Sequence, residues 1–202
     1  IPARIAYRAY RDERRCFIPQ RHEPRLSVAE FGVTGLRDVA FPGPGGTLRG
    51  VFAPPQNGAT IVLTHGSMGE HSDMAPEARI LGHAGYGVLS FDWPGHGQSD
   101  GKIAWSEPER QALSAALTWL LAQPGVDPNR LGVFGFSSGG HTVAQVAAQD
   151  PRLRAVVLAS APPDPLVHLH WEYREYGPLS RWPARRALMV RGMQTEEQVP
   201  EQ

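Results

Sequence analysis

Leu131 to Phe136 is a short apolar run that leads into Gly135-Phe136-Ser137-Ser138-Gly139, a Gly-x-Ser-x-Gly pattern. A helical pattern follows, in which Val143, Val146 and Ala147 share one face. A serine between two glycines at a strand-to-helix turn is held in a strained backbone conformation, and a side chain at either flank would clash. The free N–H groups at the start of the helix, and its positive dipole end, then point at whatever bonds to the serine oxygen. By itself the pattern also fits a packing turn with no chemistry. Its place between a strand and a helix makes Ser137 a candidate nucleophile.

A chain of 202 residues suggests one domain with enough length to bury a core. Its formal net charge of zero gives no reason to expect a nucleic-acid partner. The single cysteine, Cys16, excludes an internal disulfide framework and fits a reducing compartment, so a cytoplasmic location is favoured. No stretch approaches the roughly 18 apolar residues of a membrane span. Residues 1–36 carry seven arginines against four acids, with poor apolar periodicity. We read them as a basic, solvated arm packed loosely on a core of residues 37–202. A sharper alternative makes the arm a juxtamembrane segment, with membrane contact only through an anchor upstream of Ile1.

Beyond the arm, strand and helix signals alternate. Residues 37–41 and 47–53 are short strands joined by Pro42-Gly43-Pro44-Gly45-Gly46, which suits an antiparallel hairpin. Residues 59–64 form a continuous apolar run, as in a strand covered on both faces, and residues 87–91 form the next buried strand. Between them a helix is expected at about 74–84, closed by Gly85. Ser106 and Glu109 make a capping box for a helix in which Leu113, Ala116, Leu117, Leu120 and Leu121 repeat at helical spacing. A strand at 155–159, a helix within 164–182 and a last strand at 187–190 complete the pattern. The fold class is therefore α/β: a three-layer sandwich with a mostly parallel sheet and an N-terminal antiparallel hairpin.

Two loops at strand ends carry further signals. In His65-Gly66-Ser67-Met68-Gly69, the Ser67 amide is the candidate partner of the Ser138 amide in an oxyanion hole, which needs two preorganised donors. His65, at a strand end before glycine, reads as a satisfied structural group. In Asp92-Trp93-Pro94-Gly95-His96-Gly97-Gln98-Ser99, Asp92 and Ser99 read as scaffolding that bonds its own loop. Met68 and Trp93, with Pro162, Pro163 and Leu166, are candidates to line an apolar acyl pocket.

His65-Gly66, Asp92-x-x-Gly95-x-Gly97-x-Ser99 and Gly135-x-Ser137-x-Gly139 resemble, in order and spacing, the α/β-hydrolase superfamily. Residues 65–72 and 95–99 look like its monoacylglycerol lipase and serine-aminopeptidase branch. The resemblance covers about residues 37–200. It implies a Ser…Asp/Glu…His triad in chain order. Residues 189–200 resemble the segment that carries the acid, and counting back from Val199-Pro200 puts it at Glu196; Glu197 and Asp164 compete. The histidine should lie beyond the acid, and no histidine follows Glu196. His141, His168 and His170 read as surface or partly packed groups rather than a triad base. The chain is thus read as a fragment, starting without Met and stopping one helix and one strand short of the fold. The alternative is a pseudoenzyme that has lost its last strand. About 25 residues separate the strands at 155–159 and 187–190, too few for a large lid.

The sequence reading is a serine hydrolase of carboxylic esters working through an acyl-enzyme on Ser137, with a small-molecule ester as its partner. A thioesterase or peptidase of the same fold, or a non-catalytic binding module, are the alternatives. No metal or cofactor is implied, because no His/Cys/carboxylate cluster has ligand spacing.

Overall fold

The computed structural model describes residues 20–104 and 107–162. Its centre is a six-stranded sheet in the order β2-β3-β5-β4-β7-β8. The strands are β2 (Arg37–Gly43), β3 (Gly46–Ala53), β4 (Thr60–Thr64), β5 (Gly87–Phe91), β7 (Leu131–Phe136) and β8 (Leu153–Ala159). β2, β3 and β5 pair antiparallel in turn, whereas β5, β4, β7 and β8 are parallel neighbours. Two-residue strands β1 (Gln20–Arg21) and β6 (His96–Gly97) pair beside it. The expected hairpin is present, with both strands running further into the turn than the proline and glycines suggest: Gly43 pairs with Gly46 across Pro44-Gly45. Pro42 is tolerated because β2 has a pairing partner only on its β3 side among the described residues.

Helices cover both faces. The period-2 alternation of the strands splits the apolar residues into two clusters. Val62, Leu89, Phe91, Leu131 and Val133 face α2 (Glu107–Leu121) and α3 (Ser138–Ala147), where Leu113, Leu117, Leu120 and Val143 are fully buried. Val51, Leu63 and Val88 face the other way, against Met74, Ala75 and Ala78 of a 3-10 turn (His71–Met74) and α1 (Ala75–His83). This layering is that of the expected three-layer sandwich. Ser106 of the expected capping box lies outside the described residues, while Glu109 is buried and accepts the Ala104 amide at 3.0 Å. The expected elements within residues 164–190 lie outside them as well.

One packing expectation is corrected. The described part of the basic arm is not loosely packed: Phe31, in a 3-10 turn at Val28–Phe31, is fully buried in the α1-side cluster, and Arg79 ties that turn down through the Phe31 and Glu30 carbonyls at 2.9 and 2.8 Å. One aromatic ring, rather than any periodicity, anchors it. On β8, Val156, Val157 and Leu158 are exposed.

Candidate active site

The strand-to-helix turn at the C-terminal end of β7 forms as its glycines require. Ser137 has φ 52° and ψ −122°, a region that side-chain-bearing residues rarely occupy and that costs about 1–3 kcal/mol. Neighbours hold it there. Its amide donates to the Ala159 carbonyl of β8 at 2.8 Å, and its own carbonyl accepts the His141 amide at 3.1 Å. A Cβ on Gly135 would come within 2.5 Å of the Gly140 Cα, so only glycine lets the strand and helix approach this closely. α3 starts at Ser138, one residue on, so the unpaired amides of its first turn and its positive dipole end lie at the serine. The Ser138 hydroxyl is buried with no partner among the described residues.

The loop after β4 is packed against this turn. A Cβ on Gly66 would lie 3.1 Å from the Ser137 Cβ, and a Cβ on Gly139 would overlap the His65 carbonyl. The loop turns through Gly66–Gly69, whose amide and carbonyl bond at 3.2 Å, with Met68 at φ 61°. Ser67 and Met68 are exposed at its tip. The fold therefore brings Ser67, Met68, Ser137 and Ser138 to one end of the parallel strands, where α/β sheets bind their ligands.

Trp93 does not belong to that opening. It is 1% exposed, packs on Phe91 and donates its indole N–H to the His65 carbonyl at 3.0 Å, so its assignment to a substrate pocket is replaced by a core role. His65 is the satisfied group expected. Nδ1 meets the Gly66 carbonyl at 2.8 Å and Nε2 accepts the Trp93 amide at 3.2 Å, which requires the neutral Nδ1–H tautomer. Burial, reinforced by the charge of His96, pushes its pKa down to about 4. Asp92 and Ser99 act as scaffolding. Ser99 Oγ donates to the Asp92 carbonyl at 2.8 Å, and Asp92 Oδ2 accepts the Gln98 amide at 2.8 Å.

His141 is bonded away from the serine. Nδ1 meets the Pro162 carbonyl at 3.2 Å and Nε2 meets the Gln145 side chain at 3.0 Å. Among the described residues no imidazole is hydrogen-bonded to the Ser137 hydroxyl. Glu196, Glu197, Asp164, His168 and His170 lie outside the described residues.

Beneath the β4 loop Asp92 joins a buried ionisable group with Glu70 and His71, the two that sequence reasoning missed. His71 Nδ1 lies 2.9 Å from Asp92 Oδ1 and 3.4 Å from Glu70 Oε2. Burial alone would lower the His71 pKa. The bond and charge of Asp92, with the charges of Glu70 and Asp38, outweigh it and hold the imidazole above its ordinary value. Burial likewise works against ionisation of Asp92 and Glu70, but hydrogen bonds and the His71 charge keep both carboxylates below their usual range. The three have ligand chemistry, yet each carboxylate oxygen already accepts a protein donor: Oδ1 the His71 amide and ring, Oδ2 the Gln98 amide, Oε1 the Arg25 amide and Ser72 hydroxyl, Oε2 the Ser72 amide.

Residues 8–196 match the family described as X-Pro dipeptidyl-peptidase (S15 family). The chain belongs to the S15 family of α/β hydrolases. Solved structures agree on the fold of this S15 chain: the Pyrococcus furiosus esterase Pf2001 superposes with a TM-score of 0.68 at 23% identity, over 86% of this chain and 67% of that one. An uncharacterised 31.7 kDa Escherichia coli protein from the traX-finO intergenic region is 36% identical over 53% of this chain and 39% of its own length. The thiohydrolase aneE of Aspergillus aculeatus is 33% identical over 54% of this chain and 36% of its own length. The S15 chain thus spans well under half the length of these two curated relatives.

Proposed function

We propose that the protein is a serine hydrolase that cleaves carboxylic esters through an acyl-enzyme on Ser137. The observation that carries the reading is the strained Ser137 backbone at the start of α3, packed against the glycine loop after β4. Ser137 Oγ attacks the ester carbonyl as a general base takes its proton. The tetrahedral oxyanion is met by the amides of Ser138 and Ser67, with the dipole of α3 behind them. Collapse breaks the ester C–O bond as the base hands its proton to the departing alcohol; water, deprotonated by the same base, then attacks the acyl carbonyl and releases the acid, with the proton returned to Ser137 Oγ. Glu196 is the acid assigned to orient the base. Met68, exposed on the loop tip, is assigned to contact the acyl chain. Small esters are the substrates, with no nucleic acid and no cofactor. No helix among the described residues is long and apolar enough to cross a membrane.

The S15 match supports a second reading, in which the acyl group is a peptide ending in proline. Both are tested by labelling the full-length protein with a fluorophosphonate, then comparing p-nitrophenyl esters of two to eight carbons, a thioester and Gly-Pro-p-nitroanilide. Labelling that disappears in Ser137→Ala, with ester turnover dominant, is the expected result. Dominant anilide cleavage favours the peptidase, and an unlabelled Ser137 ends both readings.

A further inference from the structure

The β4 loop is fixed at both ends, and the two anchors differ. Its near end leaves a central strand of the sheet at Thr64, whose hydroxyl donates to the Phe134 carbonyl at 3.2 Å. Its far end runs into the buried group. The His71 amide donates to Asp92 Oδ1 at 2.7 Å, its ring bonds the same oxygen, and its carbonyl accepts the Ser90 hydroxyl at 2.8 Å. His71 is therefore tied to the end of β5 by backbone donor, backbone acceptor and side chain together. Glu70, one residue closer to the loop, is tied to the arm: its Oε1 accepts the Arg25 amide at 2.9 Å, and Arg25 also pairs with Asp73 at 2.6 Å. Phe31 stacks on the imidazole, with 6.2 Å between centroids and 12° between planes. Between these anchors lie Gly66 to Gly69, the segment against Ser137.

Two buried carboxylates around one imidazole are an expensive way to hold a loop, because burying charge costs stability unless pairing is complete. Packing alone would be met by apolar side chains. What charged, multiply bonded anchors add is one fixed geometry, which matters where an amide must meet an oxyanion to within a few tenths of an ångström.

We propose that Glu70, His71 and Asp92 form a carboxylate–imidazole–carboxylate brace that sets the position of the Ser67 amide relative to Ser137, with His71 as the positioning residue. This rests on the serine-hydrolase reading. The brace touches no substrate; it acts through the loop. Its loss impairs stabilisation of the transition state while ground-state binding of the ester is left largely as it was.

The test is steady-state hydrolysis of p-nitrophenyl butyrate by the full-length protein and its His71→Ala, His71→Asn and Ser137→Ala variants, each checked for folding by circular dichroism. Removing an oxyanion donor outright costs about 10²–10³ in kcat, so a misplaced one in His71→Ala should cost about 10- to 100-fold, with KM within about threefold. Asn places an amide nitrogen where Nδ1 sits, and His71→Asn should recover kcat to within about threefold of wild type on that same scale. A folded His71→Ala with undiminished kcat, beside an inactive Ser137→Ala, overturns the brace and leaves the hydrolase reading standing. His71→Asn as impaired as His71→Ala overturns the hydrogen-bond role. Undiminished turnover in Ser137→Ala removes the hydrolase reading and the brace with it. If His71→Ala does not fold, Ser90→Ala, which deletes only the hydroxyl on the His71 carbonyl, should lower kcat about fivefold at constant KM; an unchanged kcat there overturns the brace.

Discussion

Trp93 clasps His65 twice: its backbone amide donates to Nε2 of the imidazole at 3.2 Å, and its indole donates to the His65 carbonyl at 3.0 Å. The first bond fixes the tautomer of a fully buried histidine. The second fixes the backbone from which the candidate oxyanion loop departs.

Replacing the indole removes the second bond and leaves the first, which the backbone makes. Trp93→Phe keeps most of the buried ring but leaves the His65 carbonyl without its donor, at a cost of about 1–3 kcal/mol. Urea denaturation should show that loss, and ester turnover should fall with it because the carbonyl abuts Gly139.

Acid should destabilise the protein through His65. The unfolded histidine takes up its proton near its ordinary 6.5, whereas the folded one resists until about 4. Its contribution is complete above 6.5 and is lost as pH falls toward 4, about 3 kcal/mol in all, since one pKa unit is worth about 1.4 kcal/mol. His71 has the opposite sign: held above its ordinary value, it contributes fully below 6.5 and loses that contribution as pH rises through its raised pKa. It does not offset the loss on the acid side. Denaturant midpoints at pH 7, 5.5 and 4.5 check the slope; calorimetry in two buffers at pH 5 should detect protons taken up on unfolding, close to one of them from His65, with His96, which burial also holds below its ordinary value, adding to the total.

Ser137→Gly should make the protein more stable and catalytically dead. Glycine reaches φ 52°, ψ −122° without a Cβ penalty, so relieving the turn gains about 1 kcal/mol. A higher melting temperature in a variant that no fluorophosphonate labels is the expected pairing; a lower one would show that the turn is unstrained.

Gly139→Ala tests the same junction from the helix side. The added methyl overlaps the His65 carbonyl and lies 2.9 Å from the Thr64 hydroxyl, at the end of the central strand β4, which cannot move cheaply. Overpacking of this kind costs about 1–3 kcal/mol, readable as a shift in denaturation midpoint.

Phe31→Ala should cost about 3–5 kcal/mol, as for other fully buried phenylalanines, and should loosen the arm from α1. Protease accessibility around residues 25–36 would report it.

The strands at the centre of the sheet were legible because residues that are covered on both faces leave continuous apolar runs, as in β4, β5 and β7. The turn at Ser137 was legible because its glycines are required by sterics at fixed spacing. Trp93 was misplaced because a residue just past the end of β5 reads as loop, whereas its ring folds back onto Phe91 in the core. Phe31 was missed because one ring in a polar, proline-broken stretch creates no period. Glu70 and His71 were missed on different grounds. Charged residues after a glycine turn read as solvated loop, and only the fold shows that Asp92 and the arm close over them.

The bond from Thr64 to Phe134 joins residues 70 positions apart. During synthesis at about 5–20 residues per second, β4 leaves the ribosome some ~4–14 s before the strand that completes its second edge. β5 can dock on its other side well before that. For those seconds the nascent chain carries an apolar strand with an open row of amides and carbonyls, and the pairing that brings Ser137 to its loop is also what removes that edge from reach of neighbouring chains.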